Sequence, residues 1–487
     1  MRQPYFFVAA LCSLCFIPLP ATAVDLVLEE CRISGGPGFP GIKARCGTLE
    51  RHEDPSDRNS ALLPLSVAVV PALSLEPEPD PFVPIAGGPG QSTIEFYSLL
   101  SQAFERIRRS RDIVLLDQRG TGGSARMECA IGNEVVEGQL TPEQTIAATE
   151  TCLDALPLRP EFFTTSVAVE DLEALRIALS YSQFNIYGIS YGTRVAQHYL
   201  RRYPDSVRTA ILDGVVPPQL ALGPGIALEA QSALSKIFDR CAKSTACNER
   251  FPEIIDEFAA LKERLAAGTV SVDLANPLTG ARQTVQFGDA ELAGAIRLLS
   301  YTPHTVALMP LLIHEAANEN FAPLASQFLM AMERMSASLA VGMHNAVVCT
   351  EDAPFYDDEN VSREALESTY IGPMQLEALE AICSVWPAGI LDPDFKTPLA
   401  TDKPVLLLSG DADPVTPPHF AERAAVDLGN ARHLIGRNQG HGQAGSGCMP
   451  EIMGRFVGSG SVTDLDAECL SRQFEMPFFV DFSGPKP

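Results

Sequence analysis

The sequence predicts an α/β protein, a mostly parallel sheet with helices on both faces and a mostly helical insertion. Three observations lead there. Apolar runs that read as buried strands alternate with helix-forming stretches between Phe82 and Asp213. One run, FNIYGISY from Phe184 to Tyr191, passes through a tight Gly-x-Ser-x-Gly turn (Gly188, Ser190, Gly192) into the helix-forming VAQHYLRRY. The strand pattern then stops for a long helix-rich stretch and resumes at KPVLLLS, Lys403 to Ser409.

Taken in order, residues 1–23 read as a secretory signal peptide. Arg2 is the basic start, Tyr5 to Ile17 the apolar core, and Ala21-Thr22-Ala23 the small-residue cleavage site. That core is too short to span a bilayer and is followed by Pro18 and Pro20, so no stable membrane insertion is expected. The mature chain would begin near Val24 and be exported, to periplasm or extracellular space.

Residues 24–217 read as the first part of the sheet domain. Val24 to Thr48, with GGPGFPG between Cys31 and Cys46, reads as an irregular leader segment. Leu62 to Leu73 and Phe82 to Ala86 have strand character, the second entering Gly87-Gly88-Pro89-Gly90. Ile94 to Arg109 reads as a helix, and Asp112 to Asp117 as a buried strand leaving into QRGTGGS. Thr165 is placed to cap the helix VEDLEALRIALS, and Arg208 to Asp213 is a further strand. Residues 218–400 form the helical insertion, broken by the β-like TVSVDLANPLTGARQTVQF. Residues 401–487 return to the sheet domain with KPVLLLS, the loop GDADPVTPP, the helix HFAERAAVDL, the strand RHLIG and the loop RNQGHG, then a C-terminal segment.

Composition narrows the chemistry. A 487-residue chain with 46% hydrophobic residues, 36 Gly and 38 Pro is globular and loop-rich. Its net charge of −25 repels phosphate backbones, so nucleic acid is not expected as a partner. Beyond the leader, ten cysteines remain, an even number that in an exported chain implies disulfides. Pairing nearest neighbours closes five short loops at low entropic cost, although spacing alone leaves the connectivity open. The mature chain has no C-x-x-C and no Cys/His cluster at ligand spacing, and neither a metal nor a cofactor is expected.

A serine on a sharp strand-to-helix turn is exposed at the sheet edge, beside a helix N-terminus that favours developing negative charge. Ser190 still needs a base and an orienting acid. In sheets of this kind those groups leave the carboxyl ends of strands. Asp413 follows KPVLLLS and His441 follows RHLIG, giving the order Ser, Asp, His. Asp411 is the rival acid, but Pro414 fixes a turn at Asp413 that Asp411 can cap. The oxyanion donors would be the backbone N–H groups of Tyr191 and Gly88, since Pro89 has none. A second GGPG at Gly35 to Gly38 follows no apolar strand and reads as a turn in a disulfide loop. Asp117 and Arg119 read as a charge pair fixing the DQRG turn.

GGPG after one strand, DQRGTGGS after the next, GISYGT at the elbow, LSGDADPVTPP and NQGHG together resemble the prolyl and tripeptidyl aminopeptidase family of α/β-hydrolases. The likeness covers nearly all of the mature chain, and the segment with Cys448 and Cys469 looks like the C-terminal part of the tripeptidyl type. One departure is Ala86, where the family usually has His before GGPG. The resemblance implies an α/β-hydrolase fold with a helical cap and a serine peptidase acting near the free amino terminus of peptides. Glu351 and Asp352, in VVCTEDAPF, resemble a family C-x-E-D element and would anchor the substrate ammonium. An exported carboxylesterase or lipase with the same triad is the alternative, and a non-catalytic binding protein a further one.

Overall fold

The computed structural model describes residues 26–36, 38, 40–129 and 140–485, so the signal peptide read at 1–23 lies outside the described residues. Among these, nine strands form one sheet. Its spatial order is β1 (Glu29–Ile33), β2 (Ile42–His52), β3 (Leu62–Val70), β5 (Ile113–Leu116), β4 (Phe82–Ile85), β6 (Phe184–Ile189), β7 (Val207–Asp213), β10 (Val405–Gly410) and β11 (Ala431–Gly436). From β5 to β11 all neighbours are parallel, and β1, β2 and β3 add an antiparallel flank.

The winding decides where chemistry can sit. From β4 the chain moves outward to β5, then returns to lay β6 on the other side of β4 and continues to β7. The direction of winding therefore reverses between β4 and β6. At such a reversal the connections leave the carboxyl ends on opposite faces and open a crevice there. GGPG leaves β4 and Ser190 leaves β6 at that crevice.

Alternation along the strands serves both faces. Ile186 and Leu407 pack with Val169 and Leu172 of the helix Thr165–Ala178 and with Val195 and Tyr199 of the helix Tyr191–Arg202. Tyr187, Leu406 and Leu408 point the other way, towards Tyr97 of the helix Thr93–Leu100 and Ile452 and Phe456 of the helix Met449–Ser459. Each such side chain contributes about 1.5–3 kcal/mol on burial, which is why these runs read so clearly as strands.

Several local readings are corrected. Val24 to Thr48 is not irregular over its described part. β1 and β2 pair across the GGPG turn, with Cys31 bonded to Cys46, because β2 also finds partners along β3. Glycine and proline mark the turn but do not prevent the flanking strands from pairing. Ile94 to Arg109 is not one helix: Thr93–Leu100 gives way to a 3₁₀ turn, Ser101–Phe104, which swings Phe104 onto Phe82 and Tyr187 at centroid distances of 5.4 and 5.1 Å. The cap position of the helix Thr165–Ala178 is Thr164, and Thr165 uses its side chain elsewhere.

Between β7 and β10 lie seven longer helices, from Ile226–Lys243 to Met374–Cys383, and a separate hairpin of β8 (Val270–Ala275) and β9 (Arg282–Phe287). The helices from Ile226–Lys243 to Ala322–Ser338 bury a core of their own that includes Leu234, Phe258, Ile296, Leu312 and Phe328, whereas Met343 and Val347 of the helix Val341–Glu351 and Ile382 of the helix Met374–Cys383 pack into the core of the sheet. Phe478 of the C-terminal segment joins the first of these cores under the guanidinium of Arg240, and Phe479 N donates to Ala307 O at 2.9 Å. The ten cysteines of the described residues form five disulfides, each joining a cysteine to the next in sequence. Among the described residues, no helix is long and apolar enough to cross a membrane.

Candidate active site

Ser190 stands between β6 and the helix Tyr191–Arg202 with φ 55° and ψ −126°, a conformation that a side-chain-bearing residue adopts only under constraint. The constraint comes from close packing on both sides. A β-carbon on Gly188 would lie 2.2 Å from Gly192 O, and one on Gly192 would lie 2.4 Å from Ile85 O. Both positions are closed to any other residue. Ser190 N donates to Asp213 O at 2.9 Å, fixing the elbow to the end of β7.

His441 and Asp413 come together as the order of motifs suggests. Nδ1 of His441 lies 2.9 Å from Oδ2 of Asp413, with the Asp413 side chain fully buried and that of His441 nearly so. Asp413 Oδ1 accepts the N–H groups of Val415 and Thr416 at 2.8 and 2.9 Å. Burial would raise the Asp413 pKa, but the facing imidazole and these donors hold it below 3.8. Burial likewise works against a charged His441, yet Asp413 outweighs it and the imidazole pKa lies above 6.5. With Nδ1–H turned to Asp413, Nε2 is free to act as a base.

The ring sits against the elbow's neighbours. A β-carbon on Gly214, which follows the partner of Ser190 N, would be 3.0 Å from His441 Cε1, and one on Gly442 would be 2.9 Å from Ile189 Cδ1. Among the hydrogen bonds of the described residues, none joins Ser190 Oγ to His441 Nε2; such contacts commonly tighten when substrate binds. Asp411 turns away, accepting Asn438 N at 2.6 Å and so tying the loop after β10 to the loop after β11.

Gly88 is exposed with φ +106°, and a β-carbon on its neighbour Gly87 would lie 3.0 Å from Ser190 Cβ. The GGPG loop therefore borders the elbow. Tyr191 begins the helix, where its N–H has no partner within the helix. Its side chain runs inward: the hydroxyl meets Gln118 Nε2 at 3.0 Å and Thr165 Oγ1 at 2.6 Å.

Thr165 continues the chain to Glu351, whose two carboxylate oxygens accept its N–H at 2.7 Å and its hydroxyl at 3.0 Å. Asp352 forms a two-pronged pair with Arg194 at 2.8 and 3.0 Å and also accepts Leu222 N at 2.9 Å. Both carboxylates are fully buried. Burial pushes Glu351 up to about 7, since its nearest cation, Arg194, is 3.7 Å away and engaged with Asp352. Asp352 is held below 3.8, burial being outweighed by Arg194 and Lys396. Asp117 and Arg119, read as a pair, are not one: Asp117 holds Ser92 and Ile94 N at the start of a helix, and Arg119 forks onto Asp171.

Three residues at the site were not singled out from sequence. Thr416 donates to Asp413 Oδ2 at 2.8 Å and lies 3.1 Å from His441 Nδ1. Asp213, fully buried, accepts Tyr187 OH at 2.8 Å and the N–H groups of Gln443 and Ala444 at 2.7–2.8 Å. Tyr301 accepts His441 N on its carbonyl at 2.8 Å and sets its ring edge-on to the imidazole. Asp213 ends a strand instead of following one, and the GVVPP loop after it carries no partner-specific pattern.

Comparison with known proteins adds the lineage. Residues 80–240 match the family model described as alpha/beta hydrolase fold, and residues 368–469 the one described as TAP-like protein. The chain has the α/β-hydrolase fold, with a TAP-like stretch towards its C-terminus. This hydrolase is 26% identical over 436 residues to the serine protease Hip1 of Mycobacterium tuberculosis H37Rv, covering 79% of each chain. It is 26% identical over 432 residues to YuaR, a hydrolase by name, of Escherichia coli K12, covering 83% of this chain and 82% of that one. Tripeptidyl aminopeptidase of Streptomyces lividans is 30% identical over 148 residues, 27% of this chain and 28% of that one.

Proposed function

We propose that this hydrolase is an exported serine peptidase that removes residues or short peptides from the free amino terminus of peptides. The observation that carries the reading is the Asp413–His441 contact beside a strained Ser190 at the reversal of the sheet. Kinship with Hip1 and with tripeptidyl aminopeptidase favours peptides over other acyl substrates.

In this reading His441 Nε2 takes the proton of Ser190 as Oγ attacks the scissile carbonyl. Asp413 stabilises the imidazolium, and the N–H groups of Gly88 and Tyr191 receive the oxyanion. His441 then protonates the leaving amine, and water repeats the cycle on the acyl-enzyme. Residues 218–400 serve as the cap that limits entry to a peptide end. Of the two acids proposed as amine anchor, Glu351 is the better placed. Its charge lacks a dedicated cation, whereas Asp352 balances Arg194. An ammonium would have to displace the Thr165 contacts to reach it.

Mass spectrometry of the products from a mixed peptide library tests the proposal. Release of N-terminal fragments from free peptides, with amino-terminally acetylated ones spared, is the expected result. Hydrolysis of simple esters with no peptide cleaved would favour the esterase alternative.

A further inference from the structure

The GGPG loop that carries Gly88 is gripped by a segment of the helical region. Between the helices Ala322–Ser338 and Val341–Glu351 the chain is extended for two residues, Leu339 and Ala340. Leu339 pairs with Gln91 in an isolated antiparallel bridge, and Ala340 N donates to Gly90 O at 3.0 Å. β-Carbons on Gly88 and on Gly90 would each lie 3.3 Å from Leu339 Cδ1. One turn further, His344 Nδ1 is 3.3 Å from Pro89 O.

The same segment is pinned on its other side by the sheet domain. Arg126, in the stretch after the DQRG turn, donates from Nη2 to Leu339 O at 3.0 Å and to Ala337 O at 3.4 Å, while its Nε pairs with Glu128. Met127 O accepts Gly342 N at 3.1 Å. The segment is thus the middle layer of three, with Arg126 and Met127 on one side and the GGPG loop on the other. Gly87, which opens that loop, packs against the nucleophile, a β-carbon there lying 3.0 Å from Ser190 Cβ. Within the sheet domain, Ala86 N donates to Thr93 Oγ1 at 3.3 Å, and the Ala86 methyl group offers the loop no polar contact.

An arginine at the C-terminal end of a helix is an ordinary cap, since it meets the last carbonyls and complements the dipole. A cap would fasten the helix wherever its end lay. Here the fastened segment is itself hydrogen-bonded to the loop whose N–H would receive the oxyanion, and such a donor works only within a narrow range of position. A displacement of about 1 Å, caused from a distance, can cost about 100-fold in rate. We infer that Leu339 and Ala340 form a clamp that sets Gly88, with Arg126 as its positioning residue. The oxyanion site is then complete only while the helical region is seated on the sheet domain. The inference rests on the reading of Ser190 as nucleophile and Gly88 as oxyanion donor.

The test breaks the clamp at two points. Ala340→Pro removes the N–H that Gly90 O accepts, and the backbone already suits proline, with φ −83° at Ala340 and ψ 125° at Leu339 before it. Arg126→Ala removes the pin, and Arg126→Lys keeps a charge without the fork. Each is assayed by kcat/KM on an aminoacyl ester and on its thiono counterpart, whose sulfur is a weak acceptor and draws little on the oxyanion donors. Rates are counted per site labelled by a fluorophosphonate, so unfolded protein does not enter. In the wild type the oxygen ester should be faster by about 100-fold. Ala340→Pro and Arg126→Ala should each slow the oxygen ester about tenfold or more and leave the thiono ester within about twofold, with Arg126→Lys in between. Equal losses on both esters, or an unchanged rate on the oxygen ester, overturn the clamp alone. A wild-type ratio near one removes Gly88 and Tyr191 as oxyanion donors, and the clamp with them. Failure of the fluorophosphonate to label the wild type, or labelling retained in Ser190→Ala, takes down the reading of Ser190 and all that rests on it.

Discussion

Asp213→Asn tests how the site is held together, because one residue grips both halves. The backbone carbonyl of Asp213 receives Ser190 N, and its side chain receives Gln443 N and Ala444 N, just beyond His441, as well as Tyr187 OH. Asparagine has the same shape but one acceptor oxygen, so its amide N–H groups must face at least one donor. An unsatisfied buried N–H costs about 1–3 kcal/mol.

An opposing effect enters through charge. Burial pushes Asp213 up from 3.8 to about 6, against the pull of its hydrogen-bond donors and His441. The folded state therefore holds this proton more tightly than the unfolded one, and stability falls as pH rises through that interval. At neutral pH the ionised group costs about 3 kcal/mol at about 1.4 kcal/mol per pH unit. Asparagine escapes that cost. The two effects nearly cancel in stability but not in catalysis, where the tether of the His441 loop is lost. The expected outcome is a melting temperature within a few degrees of wild type near neutral pH, with the variant gaining on wild type as pH rises from about 4 to about 6 and keeping that gain above it, and kcat reduced about tenfold or more. Thermal melts at pH 4.5 and 8 and steady-state rates on an aminoacyl anilide measure both. A variant as active as wild type, or one that simply unfolds at every pH, would rule out Asp213 as a tether of the His441 loop.

Three further outcomes follow from the same geometry. Gly188→Ala places a methyl group 2.2 Å from Gly192 O and 2.7 Å from Thr193 N, backbone atoms that no rotamer change can move; a loss of about 3 kcal/mol by denaturant titration, with loss of activity, is expected. Glu351→Gln should raise KM for free-amine peptides more than for acetylated ones, about tenfold more, and equal effects on both would remove the anchor. The rate should rise with pH through a value above 6.5 as His441 loses its proton, and Asp413→Asn should move that limb to lower pH while reducing kcat about 10⁴-fold; an unmoved limb would detach Asp413 from His441.

Much of this was legible in the sequence because the central strands are buried on both faces. DIVLLD, FNIYGI and KPVLLLS leave no polar side to confuse them with amphipathic helices, and the loops that follow carry the motifs. The flank was harder to read: β2, IKARCGTLERH, mixes half-buried and exposed positions and carries Lys43, Arg45, Glu50 and Arg51, and its pairing depends on β3, some ten residues further on. The supporting contacts were hidden for a different reason. Thr416, Asp213 and Tyr301 act through distances between segments far apart in the chain, and a threonine after a Pro-Val step looks the same whether or not an imidazole faces it. Thr165 shows the limit most plainly. Its place at a helix start fits a cap, but a buried carboxylate from residue 351 competes for the hydroxyl and wins it.

In the proposed mechanism Ser190 forms a covalent acyl-enzyme, with His441 as base and Asp413 behind it. Rapid acid quenching with a slowly hydrolysed aminoacyl ester, followed by peptide mapping by mass spectrometry, measures it directly. The acyl mass is expected on the peptide containing Ser190 in the wild type, and is expected to be absent in Ser190→Ala and in His441→Ala within the quench time. An acyl group on a different residue, or turnover in Ser190→Ala within a factor of about a thousand of wild type when about a million is expected, would contradict it.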